Sequence, residues 1–154
     1  MVDTADSSLK LPIKNGELWC GDCLDLMRDI PSGSVDMILC DLPYGTTQNK
    51  WDTVIPFEPL WSEYWRICRG PVVLTAAQPF TSALVMSQVQ YFKYDWSWNK
   101  TAATGHLNAK RQPMRNHEDV LVFAKDRIEY FPQGLSEYGK MTKRGNNGSG
   151  LNKI

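Results

Sequence analysis

A short apolar run at residues 35–40 constrains the fold most, because it ends abruptly at the proline-containing segment D-L-P-Y-G, residues 41–45. A run of this length fits a buried strand and is too short for a typical helix. Residues 72–76 form a second run of the same kind. Between the two, residues 57–68 repeat apolar side chains at helical spacing, which predicts a helix. This order predicts a parallel β–α–β unit.

The rest of the chain extends the same alternation. Its apolar patterns predict two more helices, at residues 23–30 and 79–89, and three more strands, at residues 17–20, 91–98 and 120–123. We therefore expect an α/β fold with a largely parallel sheet and flanking helices on both faces. In such sheets ligands bind beyond the carboxyl ends of the strands, which is where the D-L-P-Y-G segment lies.

The length and composition fit one globular domain. The chain has 154 residues, 42% of them hydrophobic, with 17 basic and 17 acidic side chains. Its apolar runs stay far below the ~18 residues of a membrane span and its first residues are polar, so we expect a soluble, cytoplasmic protein. We divide the chain into five parts. Residues 1–15 are a polar leader, 16–98 carry the D-L-P-Y-G segment, and 99–119 form a basic loop. Residues 120–132 contain a further strand, and 133–154 are a flexible tail or an interrupted recognition region.

The zero net charge hides a division between the two halves of the chain. Residues 1–77 carry six basic and eleven acidic side chains, whereas residues 78–154 carry eleven basic and six acidic ones. The excess of basic side chains in the second half favours a surface that faces a polyanion such as nucleic acid. The alternative is an uneven distribution of charge on a solvated surface. The candidate contacts to nucleic acid are the cationic side chains of the basic loop and a tryptophan in a polar segment: Lys100, Lys110, Arg111, Arg115, His117 and Trp51.

Four cysteines, Cys20, Cys23, Cys40 and Cys68, raise the question of a metal or redox site. The C-x-x-C spacing of the first two suits a redox pair or half of a zinc site, but no second pair with metal-ligand spacing follows. We therefore expect reduced thiols and no metal ion.

The D-L-P-Y segment combines groups that suit a planar ligand with an amino group. Asp41 offers a carboxylate at the end of the strand. Leu42 precedes a proline and is held extended, so its carbonyl has a fixed direction, and Pro43 has no N–H to compete for it. Tyr44 adds a ring on which a base can stack once it has left the double helix. A plain turn at the end of a strand is the alternative explanation of these residues.

The D-L-P-Y segment belongs to a series of sequence blocks that follow one another along the chain. They are G-D-C-L-D-L-M-R-D-I-P-S-G-S-V-D-M-I-L-C-D-L-P-Y-G at residues 21–45, T-T-Q-N-K-W-D after it, P-F-E-P-L-W at 56–61, L-T-A-A-Q-P-F at 74–80 and N-A-K-R-Q-P-M-R-N-H-E at 108–118. Together they resemble the N6-adenine and N4-cytosine DNA methyltransferases in which the catalytic motif precedes the cofactor motif, phage and prophage members in particular. The resemblance covers about residues 16–132.

The resemblance implies an enzyme that transfers a methyl group from S-adenosylmethionine (SAM) to the exocyclic amine of a flipped base in double-stranded DNA, as in restriction–modification systems. It implies that Asp41 and Leu42 hold the amine, that Pro43 belongs to the same motif and that Tyr44 stacks on the base. An aspartate in the first position favours adenine N6, with cytosine N4 as the alternative. Asp22 and Asp41 are the implied cofactor contacts, although N-capping of a helix explains Asp22 equally well.

Members of this family continue into a strand and a glycine-rich turn, F-x-G-x-G, that holds the methionine part of SAM. Residues 145–150, G-N-N-G-S-G, have the glycines but no apolar strand before them. We therefore expect an incomplete SAM-dependent methyltransferase (Rossmann-like) fold that binds the cofactor weakly and has little or no activity alone. A complementary chain or a homodimer partner is the expected protein partner. The alternatives are a DNA-binding remnant without catalysis and a metal-dependent hydrolase built on Asp22, Asp25 and Asp41.

Overall fold

The computed structural model describes residues 9–134. The predicted tail, residues 133–154, lies almost entirely outside the described residues, as do the first eight residues of the leader. None of the described helices is long and apolar enough to cross a membrane. In chain order the elements are β1 (Leu9–Ile13), β2 (Gly16–Cys20), α1 (Cys23–Met27), β3 (Ile38–Asp41), α2 (Phe57–Ile67), β4 (Val72–Ala76), α3 (Phe80–Ser87), β5 (Phe92–Thr104), a 3-10 turn (His106–Asn108) and β6 (Arg115–Phe123).

Four strands form the central sheet in the order β3-β4-β6-β5. β3 and β4 run parallel and are connected through α2, which confirms the α/β class and the predicted β–α–β unit. β6, in contrast, is antiparallel to both β4 and β5. The expectation of a largely parallel sheet is therefore wrong for the described residues. The cause is the hairpin that joins β5 to β6, because a short connection can join only antiparallel neighbours.

Most of the segment expected as a basic loop, residues 99–119, belongs to this hairpin. β5 continues to Thr104 and β6 begins at Arg115, so only residues 105–114 connect the two strands. Beyond residue 99 the ribbon is largely exposed on both faces. Its side chains therefore show no apolar alternation, although its backbone is extended and paired.

The N-terminal segment forms a second, separate sheet. β1 pairs with β2 as an antiparallel hairpin, so the predicted polar leader contributes a strand and β2 does not join the central sheet. An ion pair connects this hairpin to the segment after α1: Lys10 Nζ lies 2.7 Å from Asp29 Oδ2. The same Nζ lies 3.9 Å from the centre of the Trp19 ring, a cation–π contact within the hairpin.

The core lies between one face of the central sheet and the helices. Every second residue of β4, Val72, Leu74 and Ala76, is fully buried there. These side chains pack with buried residues of α2, α3 and β6, namely Leu60, Trp61, Tyr64, Ile67, Phe80, Leu84, Leu121 and Phe123. Burial of this apolar layer fixes the strand ends that carry the D-L-P-Y-G segment.

The opposite face of the sheet is not covered by any of the described helices. It carries Leu39, which is 66% exposed, together with the exposed side chains of Trp96 and Trp98. Helices were expected on both faces, and this expectation is wrong for residues 9–134. The sequence pattern predicts which segments are helical, but the face of the sheet on which each helix packs depends on the topology. No α-helix connects β5 to β6.

Candidate functional site

Three oxygen-bearing side chains meet at the carboxyl end of β3 and β4. Asp41 is the last residue of β3 and lies beside Thr75 of β4 in the parallel register. The hydroxyl oxygen of Tyr44 lies 2.9 Å from Asp41 Oδ1 and 2.9 Å from Thr75 Oγ1. The hydroxyl of Thr75 also donates to Asp41 Oδ1. We call Asp41, Tyr44 and Thr75 the carboxylate–hydroxyl cluster.

The ring of Tyr44 is held by the core. It stacks on Phe80 with ring centres 5.2 Å apart and an angle of 22° between the ring planes. Burial raises the pKa of the Tyr44 phenol, and the neighbouring Asp41 carboxylate adds to the shift. The phenol therefore stays protonated and remains a hydrogen-bond donor. A base could stack only on the ring face that Phe80 does not cover.

Leu42 and Pro43 connect the carboxylate to the ring. The Leu42 side chain is buried in the core, and Pro43 is half-buried. The carbonyl of Leu42 accepts no backbone hydrogen bond within the described residues. Because its side chain is anchored and the following proline restricts its backbone, this carbonyl is a fixed acceptor.

A buried carboxylate that the sequence analysis missed organises the loop after Tyr44. Asp52, which is only 8% exposed, accepts the backbone N–H of Gly45 at 2.8 Å and that of Thr47 at 2.6 Å. The hydrogen bond from the Thr47 side chain, helped by the backbone N–H donors of Gly45 and Thr47, holds the pKa of Asp52 below its ordinary value. Asp52 thus closes residues 45–52 into a fixed loop.

Gly45 is required at the start of this loop. Its φ is +68°, which is in the left-handed region, and a Cβ added here would lie 2.8 Å from Val54 Cγ2. The glycine after the D-L-P-Y residues was therefore a usable sequence signal for a tight turn. Trp51, in the same loop, is 73% exposed, and its contact with DNA stays a prediction.

The β5–β6 hairpin reaches the same end of the sheet. Arg115 donates to the carbonyl of Gln78, just after β4, at 2.6 Å. A cavity of about 240 Å³ is lined both by Thr46, which follows the D-L-P-Y-G segment, and by Arg115 and the hairpin connection. A second cavity, of about 220 Å³, is lined by Ala77, Gln78, Arg115, His117 and Asp119. The structure therefore brings Arg115 and His117 to the same end of the sheet as Asp41.

The remaining basic candidates differ in their surroundings. Lys100 forms an ion pair with Glu118, and its Nζ lies 5.8 Å from the centre of the Trp98 ring. Its charge is therefore partly neutralised within the hairpin. Lys110 and Arg111 lie exposed in the connection between β5 and β6. Contact of these residues with DNA stays a prediction.

Asp22 acts as the N-cap of α1. Its Oδ1 accepts the backbone N–H of Leu24 at 2.8 Å and that of Asp25 at 3.4 Å. The structure thus shows the capping role that the sequence allowed, and a cofactor contact for Asp22 stays a prediction. Asp22 also raises the pKa of the neighbouring Cys23 thiol, after burial as the larger cause. Residues 9–134 contain no group of three or more His, Cys, Asp or Glu side chains placed to hold a metal ion.

No model of a known protein family matches the chain. Among solved structures, the chain is similar to the DNA methyltransferase M1.HpyAVI in complex with SAM, with a TM-score of 0.54 and 18% identity over 77% of this chain and 60% of that one. A crystal structure of M1.HpyAVI gives a TM-score of 0.53 with the same identity and coverage. TTHA0409 of Thermus thermophilus, provisionally described as a DNA modification methylase, gives 0.50 and 17% identity over 74% of this chain and 54% of that one.

These similarities show a shared α/β fold. The chain spans 60% of the length of M1.HpyAVI and 54% of that of TTHA0409. At identities of 17–18% a common fold does not define which side chains act. An assignment of function has to rest on the geometry of the site.

Proposed function

We propose that this chain is the catalytic and DNA-facing part of a SAM-dependent DNA methyltransferase with a Rossmann-like fold, acting on the N6 amine of a flipped adenine. The observation that carries the proposal is the position of Asp41 at the carboxyl end of a parallel strand, beside Tyr44 and followed by the fixed carbonyl of Leu42. The shared fold with DNA methyltransferases supports it.

Asp41 and Leu42 provide two acceptors for the two N–H bonds of the amine. The lone pair of an exocyclic amine is delocalised into the base, so its nitrogen is a poor nucleophile. Acceptors that hold both N–H bonds favour a tetrahedral nitrogen, whose lone pair is free to attack a methyl group. Asp41 Oδ2 and the Leu42 carbonyl are available for this task, because neither accepts a hydrogen bond within the described residues.

The described residues fit the methyl-bearing end of SAM. When bound, SAM supplies a methyl group on a positively charged sulfur, and its C–S bond breaks as the new N–C bond forms. The carboxylate of Asp41 and the partly exposed ring of Tyr44 form an acidic, aromatic site, which suits such a cation. We propose Asp41 and Asp22 as cofactor contacts, although Asp22 has only Oδ2 to offer because Oδ1 caps α1.

The methylated nitrogen must lose one proton. In the proposed complex the carboxylate of Asp41 is hydrogen-bonded to that nitrogen, so it can take the proton and pass it to water. No stronger base is needed, because an ammonium attached to an aromatic ring is a strong acid.

We further propose that double-stranded DNA lies against one end of the central sheet, formed by the last residues of β4, the first residues of β6 and residues 45–52. Cations at this end would neutralise phosphates, and an exposed ring would contact the opened duplex. Lys100 should contribute least, because Glu118 already pairs with it. The residues concerned are Trp51, Lys110, Arg111, Arg115 and His117. On the sheet face that no described helix covers, the exposed Leu39 and Trp96 support a second chain, a complementary one or a second copy, that packs there.

The proposal is tested by incubating the full chain with labelled SAM and duplex DNA, followed by digestion to nucleosides and mass spectrometry. We expect label in N6-methyladenine, at the low level expected of this chain alone. Label in N4-methylcytosine would overturn the choice of base. DNA binding without any transfer would favour a non-catalytic DNA-binding role.

A substitution of Asp41 tests its role directly. Asp41→Ala should reduce transfer by about 1,000-fold, because the amine loses an acceptor aligned with the transition state. DNA binding, measured by fluorescence anisotropy, should remain nearly unchanged. Asp36→Ala is the matched control, since this exposed carboxylate pairs with Arg69. Transfer at the unsubstituted rate by the Asp41 variant would refute the assignment.

A further inference from the structure

Thr75 is a polar residue in a strand whose alternate positions are fully buried. It belongs to β4, where Val72, Leu74 and Ala76 all face the core. Thr75 faces the other side of the sheet and lies directly beside Asp41 in the register. Its hydroxyl donates to the Asp41 carboxylate and lies 2.9 Å from the Tyr44 hydroxyl oxygen.

In the carboxylate–hydroxyl cluster the Thr75 hydroxyl donates to Asp41 Oδ1, and the Tyr44 hydroxyl has Asp41 Oδ1 and Thr75 Oγ1 as its two acceptors. Thr75 and Tyr44 have one hydroxyl hydrogen each, and both hydroxyl oxygens lie within hydrogen-bond distance of the same atom, Asp41 Oδ1. A carboxylate has no hydrogen to offer, so both hydroxyls can donate to it at once. This arrangement satisfies Oδ1 and leaves Oδ2 as the free acceptor of the same carboxylate.

Both donors are themselves held in place. Thr75 is β-branched and sits in the middle of a paired strand, so its side chain has few rotamers available. Tyr44 is fixed by its stacking on Phe80. Asp41, in contrast, is exposed at the end of β3 and has no packing of its own to define its side-chain torsion. Its orientation therefore depends on the two hydroxyls.

The geometry points to Thr75 as a positioning residue that fixes the Asp41 carboxylate, so that Oδ2 faces the amine of the target base. This inference rests on the proposed function and adds a residue to it. Without the Thr75 hydroxyl, Asp41 is tied only to Tyr44 and can rotate away from the position needed for reaction. Misplacement of a group that acts in the transition state lowers kcat more than it raises KM.

Two substitutions separate the hydroxyl from the shape of the side chain. Thr75→Val keeps the branched shape and removes the hydroxyl, whereas Thr75→Ser keeps the hydroxyl. Thr81→Val is the matched control, because it removes another threonine hydroxyl, which donates at 2.7 Å to Asp119 and lies outside the cluster. All are made in the full chain, and circular dichroism and urea unfolding check that they fold.

The first measurement does not need enzyme activity. Scalar couplings between Hα and the two Hβ atoms of Asp41, measured by NMR, report whether its side chain occupies one rotamer. We expect a single rotamer in the unsubstituted chain, in Thr75→Ser and in Thr81→Val, and averaged couplings in Thr75→Val. A single, unchanged Asp41 rotamer in a folded Thr75→Val variant would overturn the inference. Should Thr75→Val fail to fold, averaged couplings in Thr75→Ser would overturn it in the same way.

The second measurement is methyl transfer to duplex DNA. For Thr75→Val we expect kcat to fall roughly 10- to 100-fold with KM for DNA nearly unchanged, and Thr75→Ser to restore most of the rate. Equal losses in the two variants would show that the hydroxyl is not the cause and would overturn the inference. If the unsubstituted chain transfers no methyl group, the proposed function fails for this chain, while the couplings still decide whether Thr75 orients Asp41.

Discussion

The end of the sheet that carries Asp41 and the outer half of the β5–β6 hairpin, residues 99–117, are held in different ways. At the first, side chains fix one another: Thr75 and Tyr44 bind Asp41, and Asp52 closes the following loop. In the hairpin the backbone ladder holds the strands, while most side chains face solvent. Residues proposed for chemistry are thus placed in advance, whereas Lys110 and Arg111, which are proposed to contact DNA, keep their rotamer freedom.

Two glycines with positive φ give the sharpest test of this difference. Gly45→Ala should lower the free energy of unfolding by about 2 to 3 kcal/mol, because the left-handed backbone disfavours a Cβ that also collides with Val54. Gly105→Ala in the hairpin connection should cost only about 1 kcal/mol, since its φ is +90° but no heavy atom lies near the added Cβ. Urea unfolding measures both values. Equal losses would show that the loop after Tyr44 adapts as freely as the hairpin.

Asp52 makes the stability of the loop after Tyr44 depend on pH. Because the folded-state pKa of this carboxyl lies below its ordinary value, its stabilising contribution is present above its unfolded-state pKa of about 4 and is lost as the pH falls through the folded-state value. Asp52→Asn should therefore lower the urea midpoint near pH 7 and have progressively less effect as the pH falls below about 4. A midpoint difference that does not change with pH would show that the charge of Asp52 does not hold the loop.

Arg115 should be the most sensitive of the hairpin residues. Its guanidinium bonds to the carbonyl of Gln78 and keeps further N–H groups for a phosphate. Arg115→Ala should weaken DNA binding several-fold and reduce the slope of log K against log salt by about 1. Anisotropy titrations at several salt concentrations measure both quantities. An unchanged slope would remove Arg115 from the proposed DNA surface.

Lys100→Ala should have the smallest effect. Because Lys100 pairs with Glu118, it has little charge to offer a phosphate, and we expect less than a twofold change in DNA affinity. The loss of the ion pair should change the free energy of unfolding by no more than about 1 kcal/mol. The same titrations apply, and a loss of affinity as large as that of Arg115→Ala would mean that the ion pair opens on DNA.

Elements with a strongly apolar sequence were predictable. The strand expected at residues 72–76 is β4, and the helix expected at 57–68 is α2, Phe57–Ile67. The helix expected at 79–89 is the slightly shorter α3, Phe80–Ser87. α2 buries one face and repeats its apolar residues at helical spacing, whereas β4 is a short continuous apolar run and α3 is apolar along most of its length. The exposed ribbon around Lys100 has no buried face, and this is why residues 99–119 gave the pattern of a loop.

The residues of the candidate site that are consecutive in the sequence were predictable. Asp41, Leu42, Pro43 and Tyr44 are neighbours, and their placement after an apolar run was visible in the pattern. The strand itself, β3, is only partly buried, because its alternate side chains lie on the exposed face of the sheet. Thr75 could not be found in this way, because a threonine in an apolar strand fits its β propensity equally well and its partner is 34 positions away. Such pairings depend on strand register, which a single sequence does not specify.

Five of the six tryptophans fall into two optical classes, and the sixth, Trp19, is half-buried in the N-terminal hairpin. Trp61 and Trp65 stack with ring centres 5.3 Å apart, Trp61 deep in the core, whereas Trp51, Trp96 and Trp98 are exposed to solvent. Emission from the first pair should be blue-shifted and shielded from acrylamide, and emission from the exposed rings should be red-shifted and readily quenched. The chain therefore carries internal fluorophores for its folded core and separate ones for its outer surfaces, so unfolding and ligand contact can be followed without an attached dye.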